Sequence, residues 1–201
     1  NHPQIESARQ AIAAAGALTA SASMKEWQSA SDALRRAGDL LDEVPPPSAD
    51  LNLALGKSVQ VSSSHPTTSA EVLTKGDRIS PAFWSSGDDN AKVDHEEIVT
   101  IDLGAEKQIG SVYLFPRRAG SVHGFPLDFD IKVSTDGQMW KTVRVVKDAA
   151  LPTGDMPRRY AFDATLARHI RIHATRLRSL PDDLGFYRLQ LGGIEVFDPQ
   201  Q

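Results

Sequence analysis

The chain has 201 residues, 40% of them apolar and 24% charged, with a net charge of −4 and no cysteine. Disulfide frameworks, thiolate metal sites and cysteine nucleophiles are thereby excluded, and the slightly acidic balance argues against a nucleic-acid binder, which needs a basic footprint. No apolar run approaches the ~18 residues of a membrane-spanning helix, and no basic region followed by a hydrophobic stretch opens the sequence, so any signal peptide is expected outside it.

Residues 1–44 are rich in Ala and Ser and contain neither Phe nor Tyr. Ile5, Ala8, Ile12, Ala15 and Leu18 recur at helical spacing. Ser23-Met24-Lys25-Glu26 then has the form of a capping box, in which a glutamate reaches back to the serine amide. Met24, Trp27, Leu34, Leu41 and Val44 make a second apolar stripe. The spacing predicts a helical hairpin over residues 1–44 acting as a spacer. Such Ala-rich helices are marginal alone and need their stripes packed. Pro45-Pro46-Pro47-Ser48 ends the second helix and opens a stiff linker over 45–50.

From Leu51 onward the pattern is all-β. Ile98 to Leu103, Phe129 to Val133 and Ile170 to Ala174 alternate apolar and polar residues, the signature of half-buried strands. Gly104, Gly110, Thr135-Asp136-Gly137 and Gly192-Gly193 read as turns between them. Short strands at this spacing predict a β-sandwich or barrel. Trp140 is expected to cap the core behind its hairpin.

Several kinds of chemistry are missing. No P-loop, dinucleotide-binding glycine pattern, G-x-S-x-G elbow or H-E-x-x-H motif occurs. His169 and His173 would share one face of a helix, but here they lie in an alternating strand. Arg171 stands between them on the same side and would repel a divalent cation, so they read as a solvated sheet face. Asp88-Asp89, Glu96-Glu97 and Asp182-Asp183 are neighbours in single loops, whereas glycosidic cleavage needs carboxylates facing each other from separate elements. The chain is therefore expected not to be an enzyme.

The stretch Leu51-Asn52-Leu53-Ala54-Leu55-Gly56-Lys57-Ser58-Val59 resembles the start of coagulation factor V/VIII C-type (discoidin) domains and of family 32 carbohydrate-binding modules. The match continues in order through Ala70 to Ser86, Val99 to Gly104, Ile109 to Arg117, Phe129 to Trp140, Arg168 to Ile172 and Gly193 to Phe197. The resemblance covers residues 51–198 and leaves the hairpin out. It implies a mainly β fold, an eight-stranded jelly-roll β-sandwich preceded by the small α-helical hairpin, with ligand loops gathered at one end of a rigid scaffold.

The candidate ligand loops are Ser85 to Glu97, Arg117 to Phe125 and Leu177 to Tyr187. The first sets Asp88, Asp89, Asp94, Glu96 and Glu97 against Lys92 alone, a poor match to anionic lipid, so membrane binding is disfavoured. Carbohydrate fits better, because aromatic rings stack on a sugar's apolar face while guanidinium and imidazole groups bond its hydroxyls. Arg117 matches the arginine that family 32 modules often use for this. Arg118 is the fallback, since successive residues of an extended chain point oppositely. His95, Asp94 and Glu97 would add polar contacts, and His123, Phe125 and Tyr187 would wall the pocket. Trp84 is expected more in the core than as a stacking platform.

The phrase Leu114-Phe115-Pro116-Arg117, followed by Gly124-Phe125-Pro126-Leu127-Asp128-Phe129, is similar to modules appended to bacterial polysaccharide-degrading glycosidases. That likeness implies a non-catalytic, extracellular accessory domain (secreted or cell-surface) excised from a larger glycoside hydrolase, whose other domains are its neighbours. A protein-binding adhesion module and a purely structural domain are the alternatives. The family's structural calcium site usually draws on Asp-Gly-Asp, a following Thr or Ser, and a late glutamate. Here Lys75-Gly76-Asp77 departs from that pattern. Asp77, Ser80, the Leu73 carbonyl and Glu195 remain as oxygen donors, while Lys75 would either repel calcium or itself bridge Asp77 and Glu195.

Overall fold

The computed structural model describes residues 3–17, 23–42, 44–118, 122–181 and 184–200. The chain divides into two compact units, 1–45 and 46–201. Leu18, the side chains of Ile5, Ala8 and Leu41, and the pair Asp182-Asp183 lie outside the described residues.

The first unit holds α1 (Pro3–Gly16) and α2 (Met24–Asp42). The capping box forms as the sequence spells it. The Ser23 amide donates to Glu26 Oε2 at 2.6 Å, and the Glu26 amide donates to Ser23 Oγ at 3.3 Å, satisfying two donors that a helix start leaves free. Met24, Trp27 and Leu34 are exposed on α2.

The second unit contains β1 (Ser58–Val61), β2 (Trp84–Ser85), β3 (Glu97–Pro116), β4 (Asp128–Ser134), β5 (Lys141–Val146), β6 (Arg158–Arg176), β7 (Ser179–Leu180), β8 (Phe186–Tyr187) and β9 (Gln190–Phe197). β3 and β6 have 20 and 19 residues and serve both layers of a β-sandwich. The first half of β3 pairs with β1 and with the second half of β6, which pairs with β4 and through it β5. Past a register shift between Asp102 and Lys107, β3 pairs with β9 and with the start of β6, and β9 pairs with β2. At that shift Gly104 has a φ of +82°, open to glycine without strain, and its amide donates to Asp102 Oδ1 at 2.8 Å. β7 and β8 form a separate ribbon.

Alternate residues of the first layer, including Val99, Ile101, Phe129, Ile131, Ile170 and Ile172, are buried in one core with Val112, Leu114, Ile194 and Val196 of the second. Each such side chain contributes roughly 1.5–3 kcal/mol by leaving water. From Ile109 to Pro116, β3 is buried on both faces, because Tyr113, Phe115 and Phe197 make a second apolar cluster. Asn52 pins the chain's entry, its Oδ1 accepting from the Ala54 and Val196 amides at 2.9 Å each.

Two expectations need correction. Gly110 is no turn: it lies inside β3, where a Cβ would stand 2.5 Å from Pro199 Cα. Gly192 and Gly193 likewise lie inside β9, and a Cβ on Gly192 would meet the Pro116 carbonyl at 2.7 Å. Trp140 does not cap the core. It stands half-buried under the Arg171 guanidinium, 3.8 Å from the ring centroid, because its hairpin leads it beside a strand face whose cation attracts the indole.

Candidate functional site

One end of the sandwich is organised around a buried carboxylate. Glu97 opens β3 and is 3% exposed. Its Oε1 accepts from Ser63 Oγ at 2.7 Å and lies 3.0 Å from His95 Nε2, while Oε2 accepts from Ser62 Oγ. These bonds fasten the loop that follows β1. Trp84 Nε1 donates to Ser64 Oγ at 3.2 Å, the His65 amide donates to the Ser85 carbonyl at 2.9 Å, and the Ser85 amide donates to Thr68 Oγ1 at 3.2 Å. A run of small polar residues, Ser62-Ser63-Ser64-His65-Pro66-Thr67-Thr68, is thus stitched to β2.

Between that loop, β2 and the start of β9 opens a cavity of about 150 Å³. Ser85 and Gln190 form its base, joined by a bond from Gln190 Nε2 to Ser85 Oγ at 3.3 Å. His65 and Phe83 line it with Arg188. Arg117 lies at the rim: its Nη1 donates to Gln190 Oε1 at 3.1 Å, and its guanidinium covers the Phe83 ring at 4.2 Å. Arg188 pairs with Asp88, and its guanidinium lies 5.3 Å from the Phe186 ring. The Thr67 amide donates to His65 Nδ1 at 3.3 Å. In the neutral ring this assigns the proton to Nε2, which lies 3.7 Å from Asp88 Oδ2.

The cavity therefore offers the Arg188 guanidinium, with that of Arg117 beside it against Gln190 and Phe83, an imidazole N–H, hydroxyls, an amide and one aromatic ring. Such a set suits a polyhydroxylated ligand, with planar forks for paired hydroxyls and an apolar ring for a C–H face. None of the described lining residues is a carboxylate.

Of the residues named from sequence, Arg117 stands at this cavity. Trp84 is fully buried behind it, and Glu97 supports it from below. Arg118 points away, donating to the Arg78 carbonyl and lying 3.1 Å from Asp155. Both His95 nitrogens are engaged, Nδ1 with the Val93 carbonyl at 2.9 Å and Nε2 with Glu97. Asp94 accepts from the Leu177 amide at 2.8 Å, tying two loops together. Phe125 is a core residue packed edge-on to Phe129, and Tyr187 is half-buried against the same core. His123 lies in the short turn Val122–Gly124. Sequence reading missed His65, Phe83, Arg188 and Gln190. The available signals were a histidine inside a serine–threonine run and a charged residue between Tyr187 and Leu189.

The oxygen donors considered for calcium are differently arranged. Arg78 holds Glu195 at both oxygens, Nε to Oε1 at 2.9 Å and Nη2 to Oε2 at 2.7 Å, and Glu195 is 2% exposed. Asp77 Oδ1 accepts from the amides of Ile79 and Ser80 at 3.2 and 3.0 Å. Lys75 is exposed. The cation facing Glu195 is thus the Arg78 guanidinium.

The family model described as F5/8 type C domain matches residues 58–181. No curated protein matches the chain. Among solved structures, CBM32-3 from a family 31 glycoside hydrolase of Clostridium perfringens aligns with a TM-score of 0.61 at 19% identity, covering 74% of this chain and 94% of its own. CpGH89CBM32-5 of the same organism, in complex with GalNAc-beta-1,3-galactose, gives 0.57 at 20%, covering 73% and 98%. Chitosan-binding module 1 of a chitosanase/glucanase from Paenibacillus sp. IK-5 gives 0.55 at 23%, covering 73% and 98%.

Proposed function

The chain belongs to the F5/8 type C domain family, and on that footing we propose that its sandwich is a non-catalytic carbohydrate-binding module whose ligand sits in the cavity between His65, Phe83 and Arg188. The observation that carries this reading is the convergence of the Arg117, Gln190 and Ser85 chain with His65 and Phe83 on one concave site. The fold shared with sugar-binding modules supports it.

The module works by proximity. It is an accessory domain of a larger secreted glycoside hydrolase, and weak binding holds the attached catalytic domain close to its polysaccharide, raising effective concentration. One small sugar in so open a cavity binds in the millimolar to tens-of-micromolar range, about −4 to −6 kcal/mol. Residues 1–44 act as the spacer. Calcium has no part, because Arg78 supplies the positive charge that Glu195 requires.

Calorimetric titration of the chain with a panel of neutral mono- and oligosaccharides tests the proposal. Saturable binding to one sugar class, weakened at least tenfold in His65→Ala, is the expected result. A folded protein silent across the panel would overturn it.

A further inference from the structure

A second concave site lies on the outward face of the first layer, away from the loops. Strand register builds it in two adjacent rows: Gln60, Thr100 and Arg171 in one, Ser58, Asp102 and His169 in the next. Trp140 closes one side, and together these groups enclose about 190 Å³. Gly137 keeps the rim open, since a Cβ there would stand 3.4 Å from His169 Nε2.

The charges in this cavity are unevenly satisfied. Asp102 is neutralised by Arg168, whose Nε and Nη2 donate to its two oxygens at 2.8 Å each. His169 Nδ1 lies 3.9 Å from the same carboxylate. Arg171 has no such partner among the described residues. Its Nε donates to Thr100 Oγ1 at 3.2 Å, its guanidinium lies over the Trp140 ring, and burial lowers its pKa. A partly desolvated guanidinium that lacks a counter-charge favours an anionic ligand, and its planar fork matches a carboxylate. The surrounding hydroxyl, amide and imidazole groups match sugar hydroxyls.

We propose that the cavity formed by Gln60, Thr100, Trp140, His169 and Arg171 is a binding site for an acidic sugar, with a uronate carboxylate on the Arg171 fork. The site is separate from the loop-end cavity and does not depend on the reading given to it. With two sites, one chain grips a polysaccharide at two points, or a mixed neutral and acidic one at each of its sugar types.

The test is titration of the full chain with tri-galacturonic acid, followed by tryptophan fluorescence, with galactose and acetate as controls. Trp140 reports on this site because its indole forms the wall. The expected result is saturable binding of tri-galacturonic acid that is weakened at least tenfold in Arg171→Gln and in Arg171→Lys, which keeps the charge but loses the fork. His65→Ala, at the other cavity, should leave it unchanged. Equal binding of acetate, or undiminished binding of tri-galacturonic acid in an Arg171→Lys protein with wild-type melting temperature, would overturn the proposal. So would no saturable binding of tri-galacturonic acid by the wild-type chain. Because His65→Ala reports on the other cavity alone, failure here is distinguishable from failure there.

Discussion

Arg78 and Glu195 meet in a two-point ion pair, with the arginine side chain 27% exposed and the glutamate 2%. The same guanidinium donates to the Pro47 carbonyl at 2.6 Å, so it ties the proline segment, the Gly76–Ser80 loop and β9 at one point. Removing one partner of a buried pair leaves an uncompensated charge, at a cost of about 3–5 kcal/mol. Arg78→Ala should therefore lose that much in urea unfolding, while wild-type melting is indifferent to EDTA. A wild-type melting temperature that drops by several degrees in EDTA would restore calcium to this site.

Glu97 acts on the loop-end cavity without lining it. Glu97→Gln keeps the shape but weakens the anchors on Ser62, Ser63 and His95. Bonds to charged acceptors are roughly twice as strong as neutral ones, so sugar affinity should fall several-fold while the core stays folded. Unchanged affinity in calorimetry would show that the loop holds its shape by other means.

Acid should loosen the sandwich through Asp102 and Asp136. The bond from Arg168 holds Asp102 below the ordinary carboxylate range, helped by the Gly104 amide; the amides of Gln138 and then Met139 do the same for Asp136. A carboxylate whose folded pKa lies below its unfolded one contributes stability at neutral pH and loses it as pH falls below about 4. Stability followed by denaturant titration should thus decline from about pH 4 downward, less steeply in Asp102→Asn. An identical slope in the variant would contradict this.

The capping box gives a separate test in the first unit. Ser23→Ala removes the acceptor for the Glu26 amide, a loss typically costing about 0.5–2 kcal/mol of helix stability. Far-ultraviolet circular dichroism of the full chain should show reduced helicity with the strand signal intact. No change would mean that packing alone holds α2.

The strands with one solvated face were legible because their side chains alternate, as in Ile98 to Leu103 and Ile170 to Ala174. Where β3 is buried on both faces, from Ile109 to Pro116, alternation vanishes and the glycine at 110 imitates a turn. Only its contact with Pro199, 89 residues away in sequence, explains it. The same limit applied at the site. Arg117 stood out beside a strand end, but His65, Phe83, Arg188 and Gln190 come from three separate segments, two of them joined by the pairing of β2 with β9 and the third by the loop's hydrogen bonds to Ser85. Trp140 went astray for the same reason, since Arg171 reaches it from another strand.

Chemical-shift mapping shows whether the loop-end cavity binds carbohydrate. Amide shifts of the 15N-labelled chain would be followed during titration with the tightest neutral sugar from the calorimetric panel. Perturbations clustered on His65, Thr67, Phe83, Ser85 and Gln190, and lost in Arg117→Ala, are the predicted result. Perturbations that leave these residues untouched would show that the sugar binds elsewhere on the sandwich.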